Sequence, residues 1–171
     1  MDHRAGPYAE FEAFVAGAAG RLLHVAVLLT AEDGPGAGTG TGTGTGARAD
    51  AGAGAGADPD GGAEADCPAA RRLLAGALAR TYANWHRLRG DDPYDHTRQE
   101  LCAAFARTAR RHHGGRGVLA RLGPPERLVL VLCVYEGVAE EVAAAQLGLP
   151  VERVRQLCAR AVDAMRTRDA A

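Results

Sequence analysis

The chain has 171 residues, enough for one domain or two small ones, and 47% of them are apolar, although much of that share is alanine and the core is correspondingly thin. Charge is nearly balanced overall but unevenly placed. Counting Asp, Glu and Arg, residues 1–66 carry ten acids and three bases, residues 67–117 four acids and ten bases, and residues 118–171 seven of each. The middle segment is therefore the electrostatic candidate for nucleic acid, while the neutral last third excludes strong salt-resistant DNA binding by that part alone.

Residues 8–29 read as a long helix with Phe11, Phe14, Val15, Leu22, Leu23, Val25, Ala26 and Leu29 broadly on one face. Gly17 and Gly20 weaken its middle. The apolar run Leu22 to Leu29 is short and interrupted by His24, so no bilayer span and a cytoplasmic protein are expected. From residue 34 the composition collapses into Gly, Ala and Thr, with TGTGTGTG at 39–46 and AGAGAGA at 51–57. Such a segment lacks the apolar side chains that would offset the entropy of ordering it, and 34–66 reads as a flexible insert. A phosphate-cradling loop is excluded because there is no GxxxxGK[ST] and no lysine anywhere in the chain.

Helical periodicity resumes at 68–89 with Leu73, Leu74, Ala77, Leu78, Tyr82 and Trp85. After the Gly90-Asp91-Asp92-Pro93 turn, a third helix is predicted from about Tyr94 to His112. Leu101, Cys102, Phe105 and Ala109 face inward there, and Arg98, Arg107, Arg110 and Arg111 form a basic outer face and end. Trp85, Tyr82 and Tyr94 beside Arg87 and Arg89 suit the stacking of unpaired bases; the alternative is that Tyr82 and Trp85 are core anchors. His112-His113 read as solvated, since adjacent residues diverge on a helix and no further ligand sits at metal-binding spacing. Cys67, Cys102, Cys133 and Cys158 form no CxxC pair and read as free thiols on apolar faces.

A Gly-Gly-Arg-Gly break at 114–117 precedes the stretch Pro124–Arg168. Pro124 and Pro125 can open a helix, and Leu128, Val131, Leu132 and Tyr135 make its apolar face. Gly137 stops it. A short helix closed by Val138, Val142, Ala145, Gln146 and Leu147 follows, then the Gly148-Leu149-Pro150 break. The last helix, Val151 to Met165, turns Val151, Val154, Leu157, Cys158, Ala161 and Met165 inward and presents Glu152, Arg153, Arg155, Gln156, Ala159 and Arg160. Two helices joined by a tight Gly-containing turn fit a helix-turn-helix whose Arg and Gln can pair with base edges. Periodicity alone fits an ordinary helical hairpin with a solvated face as well.

The order of these blocks resembles the two domains of an extracytoplasmic-function (ECF) sigma factor of the sigma-70 family, actinobacterial type. FEAFV (11–15), LLHVAVLLT (22–30) and ALARTYANWHRLRGDDPY (77–94) resemble the core-binding, −10-recognising domain. RLGPPERLVLVLCVYEG (121–137) and EEVAAAQLGLPVERVRQLCARAV (140–162) resemble the −35-binding domain. The resemblance implies an all-α protein of two small helical domains: a region 2-like bundle from 1–33 and 67–113, interrupted by the insert, and a region 4-like helix-turn-helix over 118–171, with 114–117 as linker. It implies no enzyme activity and no cofactor or metal. The implied partners are RNA polymerase core, through its beta-prime clamp, promoter DNA, and an anti-sigma or other regulatory protein. Arg153, Arg155, Gln156 and Arg160 would read DNA, Arg98, Arg107, Arg110 and Arg111 would hold it near −10, and Arg71, Arg72, Leu73, Leu74, Leu78, Tyr82 and Trp85 would face polymerase.

The chain also departs from the family. An acidic-acidic-Leu-Val-Gln run usually docks on the clamp where Arg71, Arg72, Leu73, Leu74 and Ala75 stand, and like-charge contact at a docking surface is costly. Ala103 and Ala109 replace a common Asn and Trp, and Glu152-Arg153 a small Gly-Thr pair. The six residues between Arg111 and Val118 reach at most ~22 Å fully extended, short for spanning two promoter elements, so the two blocks packing on each other is the alternative. These departures define the second reading, a sigma-derived regulator acting through protein contacts. The terminal Ala170-Ala171 resembles a degradation tail, with chance as the other explanation in an alanine-rich chain.

Overall fold

The computed structural model describes residues 6–33 and 67–167. The glycine-rich insert at 34–66 and the Ala-Ala terminus lie outside the described residues. Among these, the fold is all-α with no strand. Helix α1 spans Pro7–Thr30, α2 Pro68–Ala83, α3 Pro93–Thr108, α4 Pro124–Leu130, α5 Glu140–Leu147 and α6 Val151–Arg166. Short 3₁₀ turns follow α2 (Trp85–Arg87) and α3 (Ala109–His112), and α4 runs on into a wide π turn, Val131–Tyr135.

Local chemistry explains most of these boundaries. Helices α1 to α4 each begin with proline, whose fixed φ and missing N–H suit a first turn. The Asp92 carboxylate accepts the Tyr94 N–H at 2.9 Å to cap α3. The start of α2 is capped from the end of α1, where the Glu32 carboxylate accepts the N–H groups of Ala69 and Ala70 at 3.1 and 2.8 Å. Gly148, at φ 65°, ends α5 in the left-handed conformation.

Among the described residues, the larger of two apolar clusters runs through both halves, and the smaller joins Ala18, Leu22 and Leu74. In the larger cluster, Val25, Ala26 and Leu29 of α1 meet Ala70 and Ala77 of α2 and Leu101 and Phe105 of α3. The cluster continues through Leu119 and Leu122 to Leu128, Val129, Val131 and Leu132, and then to Ala143, Val154, Leu157 and Ala161. Fully burying a side chain such as Leu101 or Phe105 stabilises by about 1.5–3 kcal/mol. The block that resembles the −35 reader is therefore packed on the other block through a continuous interior. Among the described residues, α1 alone is long and apolar enough to cross a membrane, with a mean hydropathy of 1.7; here its Leu22, Val25, Ala26 and Leu29 stripe is fully buried against the other helices.

The sequence expectation needs correction at several positions. In α5 the buried residues are Ala143 and Ala144, while Val142 is 49% exposed and Ala145 is exposed. The helix begins at Glu140, not at Val138, and its small alanines carry little amphipathic signal. Tyr135 faces outward because it ends the π turn. Phe11, Phe14 and Trp85 are half-buried, forming with Tyr8 and Tyr82 an aromatic cluster at one end of the molecule. Trp85 is thus neither a core anchor nor an open stacking plate, since its ring lies 5.2 and 5.5 Å from those of Phe11 and Phe14.

Candidate nucleic-acid interface

Helices α5 and α6 are joined by the turn Gly148-Leu149-Pro150. The Leu149 N–H returns to the Ala144 carbonyl at 3.0 Å, and Pro150 supplies the extended residue before α6. With Val154, Leu157 and Ala161 buried, the helical period places Glu152, Arg153, Arg155, Gln156, Ala159 and Arg160 in solvent, as the sequence pattern predicts.

These outward residues are not equally available. Arg155 is held by three carboxylates: Nε to Glu140 at 2.7 Å, Nη2 to Glu141 at 3.2 Å and Nη1 to Glu152 at 2.7 Å. It ties the first turn of α6 to the first turn of α5. Arg160 reaches Glu126 of α4 at 3.2 Å. Among the described residues, Arg153 and Gln156 have no such partner and are the two groups on this face free to meet a base edge.

The basic end of α3 divides in the same way. Arg107, Arg110 and Arg111 are exposed. Arg98 is not on the outer face: it is 7% exposed, with Nη2 3.0 Å from Asp95 and Nη1 3.3 Å from Glu136. A charge this buried requires a partner, which removes Arg98 from the surface open to DNA. Glu136 has a fully buried side chain. It accepts from Arg21 of α1 at 3.2 Å and from the Tyr94 hydroxyl at 3.1 Å as well as from Arg98. Burial and this carboxylate push the Tyr94 hydroxyl well above its ordinary pKa. The π turn adds one residue to the helical turn before Glu136, rotating it by about 100° relative to a regular helix.

Arg127 is the second polar joint between the halves, and it is fully buried. Its Nη1 donates to the carbonyls of Leu29 (2.7 Å) and His112 (3.1 Å), and its Nη2 to those of Gly114 (3.4 Å) and Leu122 (2.9 Å). The connecting segment is docked too. The N–H groups of Arg116 and Gly117 both donate to the Ala31 carbonyl, at 3.0 and 2.8 Å. Gly115, at φ +122°, and Gly117 lie so close to the Ala31 and Glu32 carbonyls that neither has room for a Cβ. Sequence reading missed Arg127 and Glu136. Their only signal is a charged residue within an apolar helical run.

Of the residues predicted to face polymerase, Arg71, Arg72 and Tyr82 are exposed and Leu73, Leu78 and Trp85 half-buried. Leu74 is turned inward, 8% exposed against Ala18 and Leu22. His112 is not solvated as expected: its ring stacks on Phe105 at 5.3 Å and lies 3.3 Å from the Thr108 hydroxyl. Burial, then Arg127, hold its pKa below the ordinary 6.5. Cys102, Cys133 and Cys158 are free thiols. Burial pushes Cys102 up to about 12 and Cys133 up to about 11, so neither is a ready nucleophile. Among the described residues no three His, Cys, Asp or Glu side chains are grouped to hold a metal ion.

The architecture is that of an all-α protein carrying a helix-turn-helix of the DNA-reading kind. Residues 118–167 match the family described as Sigma-70, region 4. The matched span covers α4, α5 and α6, and the match supports a sigma-70 family member with a sigma-factor-like, DNA-binding role in transcription. No curated protein and no solved structure matches the chain.

Proposed function

We propose that this chain is a sigma factor of the ECF type, a cytoplasmic, non-enzymatic protein that joins RNA polymerase core and directs it to promoters. The observation that carries the reading is the outward face of α6 within the matched span 118–167, where Arg153 and Gln156 stand free beside the anchored Arg155 and Arg160. Arg and Gln have the geometry for bidentate contact with guanine and adenine edges. Arg107, Arg110 and Arg111 hold the DNA backbone, and the exposed side of α2 with Tyr82 and Trp85 meets the polymerase clamp. An anti-sigma protein is the expected antagonist. The direct test is anisotropy of the labelled protein with RNA polymerase core at two salt concentrations, followed by promoter mapping; absence of binding at either salt removes the reading.

A second reading is favoured by one specific feature. Arg127, Glu136 and the docked 114–117 segment hold the two halves on one core, an arrangement that suits a sigma-derived regulator acting through protein contacts. Such a regulator would fail the polymerase test yet retain a protein partner recoverable by crosslinking.

A further inference from the structure

The first turns of α2 and the 3₁₀ turn that ends α3 face each other across a cleft of about 330 Å³. It is lined by Ala69, Arg72, Leu73, Thr108, Arg111 and His112. Two guanidiniums and an imidazole meet there, with no carboxylate in the wall. The Arg72 Nε donates to the Pro68 carbonyl at 3.2 Å, which steadies the side chain and leaves both terminal nitrogens available. Among the described residues Arg111 has no ion-pair or side-chain hydrogen-bond partner. The nearest carboxylate is Glu32, outside the lining, which caps α2 by accepting from Ala69 and Ala70, accepts from Thr30 as well, and acts through its charge on His112.

We propose that this cleft is a phosphate-binding site in which Arg72 and Arg111 grip the phosphate oxygens and His112 forms the floor. Guanidinium forks match phosphate geometry and donate pairs of charge-assisted hydrogen bonds. Two guanidiniums facing one cleft, with the single charge of Glu32 behind Ala69, favour an anion over a neutral ligand. His112 is well placed for this role. Its carbonyl is bound by Arg127 and its ring is seated between Phe105 and Thr108, so it adds a rigid polar surface. The cleft lies in the segment with ten arginines and four acids. Its small volume suits a diphosphate or triphosphate group, or a stretch of nucleic-acid backbone, more than a large organic body. On this assignment Arg72 serves phosphate recognition in place of polymerase docking, independently of whether the chain directs initiation.

The test is calorimetric titration of the full chain with pyrophosphate, a nucleoside triphosphate and a short DNA duplex, at low and physiological salt. Wild type is compared with R72Q, R111Q and the double variant, with R121Q, an exposed arginine away from the cleft, as control. Saturable one-to-one binding of pyrophosphate and nucleotide, weakened about tenfold or more in the double variant and unchanged in R121Q, assigns a free nucleotide as the ligand. Weakening confined to duplex, with a shallower salt slope, assigns backbone phosphates. If a double variant with wild-type melting binds all three as wild type does, or wild type binds none, the proposal is overturned.

Discussion

The guanidinium of Arg127 donates to the backbone carbonyl of Leu29 at 2.7 Å, joining α4 to the last turn of α1 across 98 residues of sequence. The same side chain takes up carbonyls from His112, Gly114 and Leu122. Two buried and two partly buried carbonyls are thus gathered by one cation, and burial lowers its pKa without discharging it.

Arg127→Met keeps much of the volume and removes every donor. Leaving the buried carbonyls of Leu29 and Leu122 unpaired is expected to cost about 2–4 kcal/mol, read as a lower urea midpoint. Unchanged stability would show that those carbonyls find other partners.

Glu136→Ala strands Arg98 without its buried partner, so a loss of about 3–5 kcal/mol is expected. The loss should depend little on salt, because Arg98 and Glu136 are shielded from solvent. The second change Arg98→Met should recover part of it. A double variant no more stable than Glu136→Ala alone would contradict the pairing.

Gly115→Ala places a methyl against the Ala31 carbonyl at a φ of +122° that other residues avoid, and Gly117→Ala meets the Glu32 carbonyl. Each is expected to destabilise by more than about 1 kcal/mol. Gly6→Ala, with open space around it, is the control in the same melting series.

On α6, Gln156→Ala is expected to weaken binding to a cognate promoter by about 1–3 kcal/mol and relax preference at one base pair. Arg155→Ala should act differently, by loosening α6 from α5, since Glu140, Glu141 and Glu152 already hold that side chain. Footprints of the two variants separate the roles: a localised change for Gln156, a uniform weakening for Arg155.

His112 gives a pH dependence of known sign. Its folded pKa lies below the ordinary 6.5, so the unfolded chain binds its proton first as pH falls. The stability it contributes is complete above 6.5 and is lost as pH drops through the lower folded value. Wild type should therefore lose stability faster than His112→Gln over that interval. Parallel curves would show that the imidazole titrates as it does in water.

Helix α6 is legible in the sequence because Val154, Leu157 and Ala161 recur at a clean helical period among charged residues. The turn before it is legible from Gly148 and Pro150. Helix α5 is not, because EEVAAAQL offers alanines on every side and the valine that stands out is the exposed one. Arg98, Arg127 and Glu136 are the hardest to place. Periodicity sends charged residues to the surface, and the partners that help justify burying them lie up to 98 positions away. Of the set expected to face DNA, Arg153, Gln156, Arg107, Arg110 and Arg111 stand where the pattern puts them, exposed, while the anchoring of Arg155 depends largely on carboxylates from another helix.

The docking of residues 114–132 on the end of α1 also bears on the order of folding during synthesis. The carbonyls of Leu29 and Ala31 emerge from the ribosome some 85 to 98 residues before the groups that bind them. Until Arg116, Gly117 and Arg127 have been made, the last turn of α1 has only water for those acceptors, and its Leu29 face lacks Val129 and Leu132 to pack on. Such long-range closure is slow relative to helix formation. The nascent N-terminal half therefore leaves the tunnel with an open apolar flank, and its final shape waits for the C-terminal half to arrive.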